Sequence, residues 1–139
     1  MHFPAAAKFR ILGLDGGHVG AEVEPTPTVF VIDDLTAKPG RGEVLLRAYL
    51  EGYAPGARER GMTLVHQLVS PAYWLRDGSN RLLFVWAVAG PAGVWRMKHA
   101  GRQDPALAAW WSAQAPQLVE TRSRAICADA ADLARLADV

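Results

Sequence analysis

Three groups of residues in this chain have types and spacing that could do chemistry. The first is the stretch FRILGLDGGHVGAEVE, Phe9 to Glu24. A short apolar run leads into glycines, and the next apolar run, Thr28 to Ile32, ends in Asp33 and Asp34. This is the outline of a dinucleotide-binding turn followed by a ribose-binding acid. The spacing rejects it. The fingerprint needs glycine at its first position, and counting back from Gly20 through Gly17 that position is Asp15, whose side chain obstructs the tight turn and the approach of a pyrophosphate. Pro25 and Pro27 also break the following helix after about two turns, too short for a crossover. The same residues read instead as a strand, Lys8 to Leu14, turning at Asp15, Gly16 and Gly17 into His18 to Glu24. Such a hairpin arm packs along the domain or reaches a partner subunit.

The second group is titratable. His66 is the polar residue on a face otherwise made of Met62, Leu64 and Leu68, where a histidine near Tyr or Asp is placed to act as general acid or base at neutral pH. The competing reading is a satisfied core or interface histidine. Asp33, the second catalytic candidate, shares a strand face with Val29 and Val31, so it faces a pocket or sits at the strand's wet end, the latter being the simpler placement. His99 lies four residues after Trp95 on an expected helix, where a surface histidine near the helix end is the ordinary case. The four histidines, His2, His18, His66 and His99, have no zinc-like spacing. No metal or cofactor is expected.

The third group is aromatic. Five tryptophans in a chain of 139 residues suggest a roomy aromatic lining, with Trp74, Trp86 and Trp95 joining Tyr49 and Tyr53 as pocket walls and His99 beside them as a further pocket candidate. Core filling is the alternative for each. Trp110 and Trp111 are adjacent, so on a helix they point roughly 100° apart and at least one serves packing.

Length and composition bound what positions these residues. A chain of this size is one domain, too short for a dinucleotide domain plus a substrate domain. Half the residues are hydrophobic and 21% are charged, a globular balance. The net charge of +1 supplies no global field toward nucleic acid or an anionic membrane. The single cysteine, Cys127, excludes an intrachain disulfide and fits a cytoplasmic setting. The apolar run Leu82 to Gly90 is far below the ~20 residues needed to span a bilayer, and no secretion signal is read at the N-terminus.

The elements follow from periodicity. Thr28 to Leu35 is a β-branched, aromatic strand apolar on both faces. KPGRG is a turn, and the helix after it places Leu45, Tyr49 and Tyr53 on one stripe, kinks at Pro55 and ends at Gly61. Met62 to Val69 alternates as a strand that Pro71 stops; DGSN is a turn; Arg81 to Val88 is a strand covered on both sides. A helix in two pieces follows: Val94 to His99 after a loose start at Gly90, Pro91 and Gly93, then Pro105 to Gln114 capped by Asp104. Gln117 to Cys127 is a charged edge strand carrying Glu120, Arg122 and Arg124. Asp129 caps a last short helix with Leu133 and Leu136 facing inward.

The order βαββαβ is the split βαβ arrangement of a ferredoxin-like α+β domain with a four-stranded antiparallel sheet, and the two most apolar strands fall in its central positions. The expected organisation is an extension over residues 1–27, the domain over 28–127 and a C-terminal helix over 128–139. Two helices cover one sheet face only, so the other apolar face calls for a second copy.

From Val29 to Arg124 the chain resembles the dimeric α+β barrel superfamily, and most of all its NIPSNAP-like branch. The resemblance is carried by LTAKPGRGE with the helix directly after it, by ERGMTLV, by SNRLLFVWAV and by DPALAAWW. The first ~25 residues depart from the pattern as an added extension. The resemblance implies a homodimer with a pocket between sheet and helices. It also implies a choice among cofactor-independent monooxygenases, cyclases and isomerases, haem-degrading enzymes and members without assigned activity. In haem-degrading relatives an axial histidine can occupy the place of His99, but no second ligand accompanies it here. The expected function is therefore binding of an aromatic or polyketide-like small molecule, with His66 as acid or base if the protein is an enzyme. The alternative is a non-catalytic module that binds a hydrophobic ligand or serves dimerisation.

Overall fold

The computed structural model describes residues 26–137. The expected hairpin arm of residues 1–25, with its glycine turn, His2 and His18, lies outside them. Strand β1 (Thr28–Ala37) leads through the KPG turn to helix α1 (Gly42–Ala48), a π-turn (Tyr49–Tyr53) and helix α2 (Ala54–Glu59). Strands β2 (Thr63–Ser70) and β3 (Arg81–Ala89) follow, then α3 (Gly90–Arg102), α4 (Pro105–Ala109), a second π-turn (Trp110–Gln114) and a 3₁₀ turn (Ala115–Gln117). Strand β4 (Val119–Ala128) and a short helix α5 (Leu133–Ala137) complete the described chain. The sheet order is β2-β3-β1-β4, every pair antiparallel. This is the expected ferredoxin-like α+β sheet, with β1 and β3 central and β4 at an edge.

Alternation along the strands sorts the two faces. On β1, Val29, Val31, Asp33, Leu35 and Ala37 are buried toward the helices, and on β3 so are Leu82, Phe84, Trp86 and Val88. Leu45, Tyr49, Tyr53, Ala54 and Ala57 from the first helical segment close over them, with Met97 from α3 and Trp110 from beyond α4. The opposite face presents Phe30, Ile32, Leu83, Val85 and Ala87, all half-buried, beside a two-pronged ion pair between Arg81 and Asp34 (2.9 and 2.7 Å). The hydrogen bonds from Arg81 hold the Asp34 carboxyl below its usual pKa against the opposing effect of burial.

Both helical segments are interrupted in the same way. The sequence points to a kink at Pro55; the structure places the irregularity in the turn just before it. Pro55 has no N–H to offer the carbonyl of Glu51, and its ring crowds that carbonyl. The N–H of Ala54 instead bonds the oxygen of Tyr49, five residues back. Ala115, just before Pro116, likewise bonds Trp110. The two sequences, YLEGYAP and WWSAQAP, share an aromatic residue five positions before an Ala-Pro pair, so each half of the domain widens its helix by one residue at an aromatic anchor.

Several expectations shift in detail. Helix α3 starts at Gly90, whose φ of +67° suits glycine, rather than at Val94. Gly61, at φ +92°, ends the first helical segment as expected. Asp104 caps α4 by accepting from the N–H of Ala106 at 3.0 Å, and Asp129 caps the last helical segment by accepting from Ala131 at 2.8 Å. Leu133, expected to face inward, is 57% exposed, because α5 sits on the rim of the α3–β4 groove; Leu136 packs against the core. Among the described residues no helix is long and apolar enough to cross a membrane.

Candidate functional site

Register builds the site. Asp33 on β1 lies directly opposite Phe84 on β3 and Arg124 on β4, so the three form one row across the helix side of the sheet. Paired residues of an antiparallel ladder share a face. The Arg124 guanidinium donates to both carboxylate oxygens of Asp33, at 2.6 and 3.0 Å, and also to the hydroxyl oxygen of Tyr53 at 2.6 Å. The Tyr49 hydroxyl donates to Asp33 at 2.6 Å and accepts from the indole N–H of Trp86 at 2.7 Å. Tyr49 itself stacks on Phe84, with ring centroids 3.7 Å apart.

The electrostatics make this cluster a fixed framework. Burial, then the nearby Asp33 charge, pushes the Tyr49 hydroxyl far above its ordinary pKa, so it stays protonated. Burial works against the Arg124 charge, but its hydrogen bonds to Asp33 and their mutual attraction outweigh that and raise its pKa. Asp33 is 2% exposed. The structure therefore corrects its placement at a wet strand end: it faces the helices, and its oxygens are engaged by Arg124 and Tyr49. A carboxylate held in that way positions its neighbours rather than abstracting a proton.

Two clefts open on either side of Arg124. One, of about 430 Å³, is lined by Asp33, Leu35, Trp111, Arg122, Ser123 and Arg124; the Arg122 guanidinium lies 3.8 Å above the Trp111 ring. The other, of about 270 Å³, opens between the end of α2 and α3, with Tyr53, Met62, Met97 and Leu107 as its apolar surface and Arg60, Lys98, Arg102 and Arg124 as its cations. On β4, Arg122, Arg124 and Ile126 stay exposed, and the first cleft opens along this edge.

The aromatic residues expected as pocket walls divide. Tyr53 borders the second cleft. Tyr49 and Trp86 are sealed in the core, so the space between sheet and helices is filled by side chains there. Trp74 lies in the 71–80 loop, away from both clefts. Trp95 is 68% exposed and borders a separate apolar groove with Val94, Ile126 and Leu133. His99 is exposed, 3.3 Å from Gln103 on the next turn.

His66 departs from the expected face. Pairing slips between Leu64 and His66, so Leu64 lies opposite Trp86 on the helix side while His66 lies opposite Val85 and Leu68 opposite Leu83 on the other side. The extra residue, Val65, flips the second half of the strand, a change invisible to alternation alone. His66 is half-buried there, across the sheet from Arg124 and its clefts. Among the described residues no group of three His, Cys, Asp or Glu side chains is arranged to hold a metal ion.

The charged residues that define the clefts carried little signal in the sequence. Arg122 and Arg124 mark an edge strand, and their spacing of two, which puts both on one face, was the available clue. Arg60 and Arg102 are separated by 42 positions, and only the tertiary structure brings them together.

Solved structures share this fold. An uncharacterised NIPSNAP domain protein from Burkholderia xenovorans aligns with a TM-score of 0.59 at 14% identity, over 74% of this chain and 95% of that one. The fold is that of the NIPSNAP proteins. A NIPSNAP family protein from Agrobacterium tumefaciens aligns with a TM-score of 0.59 at 15% identity, over 78% of this chain and 91% of that one. A NIPSNAP-like domain protein from B. xenovorans reaches 0.60 at 9% identity, over 75% and 86%. No family model matches the chain and no curated protein matches it. At such identities the NIPSNAP likeness concerns the fold, and reaction chemistry has to be argued from the site.

Proposed function

We propose that this protein is a small-molecule-binding domain that works as a homodimer, with its ligand held on the helix side of each sheet where the two clefts meet at Arg124. One observation carries the reading: a guanidinium fixed by a buried carboxylate and a tyrosine borders both openings. A rigid charged group beside aromatic and apolar walls is how small-molecule sites obtain orientation and affinity together. The dimer rests on the opposite face, where Phe30, Ile32, Leu83, Val85 and Leu68 form an apolar patch. Burying several hundred Å² of it per subunit favours association at about 25 cal/mol per Å² before association costs.

The filled core around Tyr49 and Trp86 favours binding over catalysis. A cofactor-independent enzyme acting on an aromatic or polyketide-like compound is the second reading. It draws on Tyr53, whose hydroxyl accepts from Arg124 and so keeps its own proton for another acceptor in the cleft. His66 as acid or base gains no support from a position across the sheet.

Titration of the protein with 2-naphthol and with 2-naphthoate, followed by NMR of the indole and methionine-methyl signals, tests the binding reading. Shifts confined to Trp111, Met62 and Met97 support it. Shifts confined to residues beside His66, or no shifts with either compound, overturn it.

A further inference from the structure

The cleft between the end of α2 and α3 concentrates positive charge beyond what its acids compensate. Arg60 is 7% exposed; its guanidinium makes one long ion pair, 3.4 Å to Asp104, and lies 5.6 Å from the centre of the Tyr53 ring, which leaves its charge only weakly compensated. The Asp104 carboxylate is also committed to the N–H of Ala106 as the cap of α4. Lys98 and Arg102 stand one turn apart on α3, and neither has an acidic partner among the described residues. Like charges at that spacing destabilise a helix unless something negative lies between them. The dipole of α3 accounts for a cation in its last turn, but not for Lys98 and a nearly buried Arg60 on the same opening.

The small residues around the cleft fit the same purpose. A β-carbon on Gly56 would lie 3.0 Å from the Arg60 guanidinium, and one on Gly101 would lie 3.0 Å from Leu107. Glycine at both places lets Arg60 and Leu107 lie close against the helix backbones beside the cleft. Met62, Met97 and Leu107 supply an adaptable apolar surface beside the charges.

We propose that this cleft binds an organic anion: a carboxylate or phosphate monoester gripped by Arg60, Lys98 and Arg102, joined to an apolar body lying on Met62, Met97 and Leu107. The proposal rests on the binding reading above and names the ligand class for it. Arg60 and Arg102 supply planar forks suited to either head group, and Lys98 adds a point charge. Arg124, neutralised by Asp33, forms the rigid end of the cleft rather than the anion's main counter-charge.

Calorimetric titrations with 2-naphthoate, 2-naphthyl phosphate and 2-naphthol separate this proposal from the reading beneath it. Both acids are expected to bind at least about tenfold more tightly than the alcohol, and to weaken as salt rises while the alcohol does not. The double variant K98Q/R102Q, altered only at exposed positions, is expected to lose about tenfold in affinity for the acids and to keep that for 2-naphthol. Arg47→Gln, an exposed change on α1 where Arg47 pairs with Glu43, serves as the control and keeps both affinities. Equal binding of acids and alcohol overturns the anion proposal and leaves the cleft as a hydrophobic-ligand site. Binding of neither class overturns both, and acid binding that K98Q/R102Q leaves unchanged overturns the assignment to this cleft. Preference between the two acids identifies the head group.

Discussion

The Tyr49 hydroxyl donates to Asp33 at 2.6 Å while accepting from Trp86 at 2.7 Å, so one phenol joins the central strands to the helix above them. Tyr49→Phe keeps the ring and its stacking on Phe84 but leaves the indole N–H of Trp86 without that acceptor. Urea unfolding should show a loss of about 1–3 kcal/mol, the range for orphaning a buried polar group. The pH dependence has a defined sign. The folded pKa of Tyr49 lies above its ordinary value of 10.0, so its contribution is intact below pH ~10 and declines as pH rises further, by about 1.4 kcal/mol per pH unit. The wild-type protein should therefore lose stability more steeply above pH 10 than Tyr49→Phe. Parallel curves would show that Tyr49 ionises in the folded state.

Asp33→Ala removes the partner of Arg124 and the acceptor of Tyr49 together. Breaking a fully buried ion pair costs about 3–5 kcal/mol, but Arg124 keeps partial contact with water, so a loss of about 2 kcal/mol is expected in denaturant unfolding. Arg124→Lys keeps the charge without the two-pronged geometry and should cost less than Asp33→Ala, with weaker hold on Tyr53. Equal stability of Asp33→Ala and wild type would show that the row Asp33–Arg124 does not hold β4 to β1.

Gly52→Ala places a methyl group against the indole N–H edge of Trp110, where the two π-turns meet. No helix propensity gain of Ala over Gly compensates a clash with a large, 3%-exposed ring. The expected outcome is a loss of about 1–3 kcal/mol and a shifted Trp110 side-chain NMR signal. A stabilised variant would show that the two turns are not in close contact.

Val85→Arg places a charge at the centre of the face carrying Phe30, Ile32, Leu83 and Leu68. Analytical ultracentrifugation should give a dimer for wild type and a folded monomer for the variant. His66→Gln, on that same face, should leave 2-naphthoate affinity within about twofold of wild type, since it lies on the opposite side of the sheet from the clefts at Arg124. A dimeric Val85→Arg variant would remove this face as the interface.

Much of the fold is legible in residue order. The apolar runs of β1 and β3 identify central strands because only strands covered on both sides can be apolar on both faces. Asp104-Pro105 and Asp129 announce their helix starts because a side-chain acceptor and a fixed φ act within a few residues. The four-stranded antiparallel order follows from that succession of elements, and it is the arrangement the structure has.

What the tertiary structure alone decided lies wherever a contact spans distant positions or a single residue shifts a period. A bulge at Val65 turns His66 from the face its alternation suggests, since inserting one residue reverses every side chain after it. Asp33 is a charged residue in a buried strand, and nothing within reach along the chain reveals that Arg124, 91 positions away, neutralises it. Arg60, Lys98 and Arg102 each resemble ordinary surface cations in sequence. Their convergence on one cleft depends on how α2 and α3 pack, and that packing is set by contacts between residues far apart in the chain.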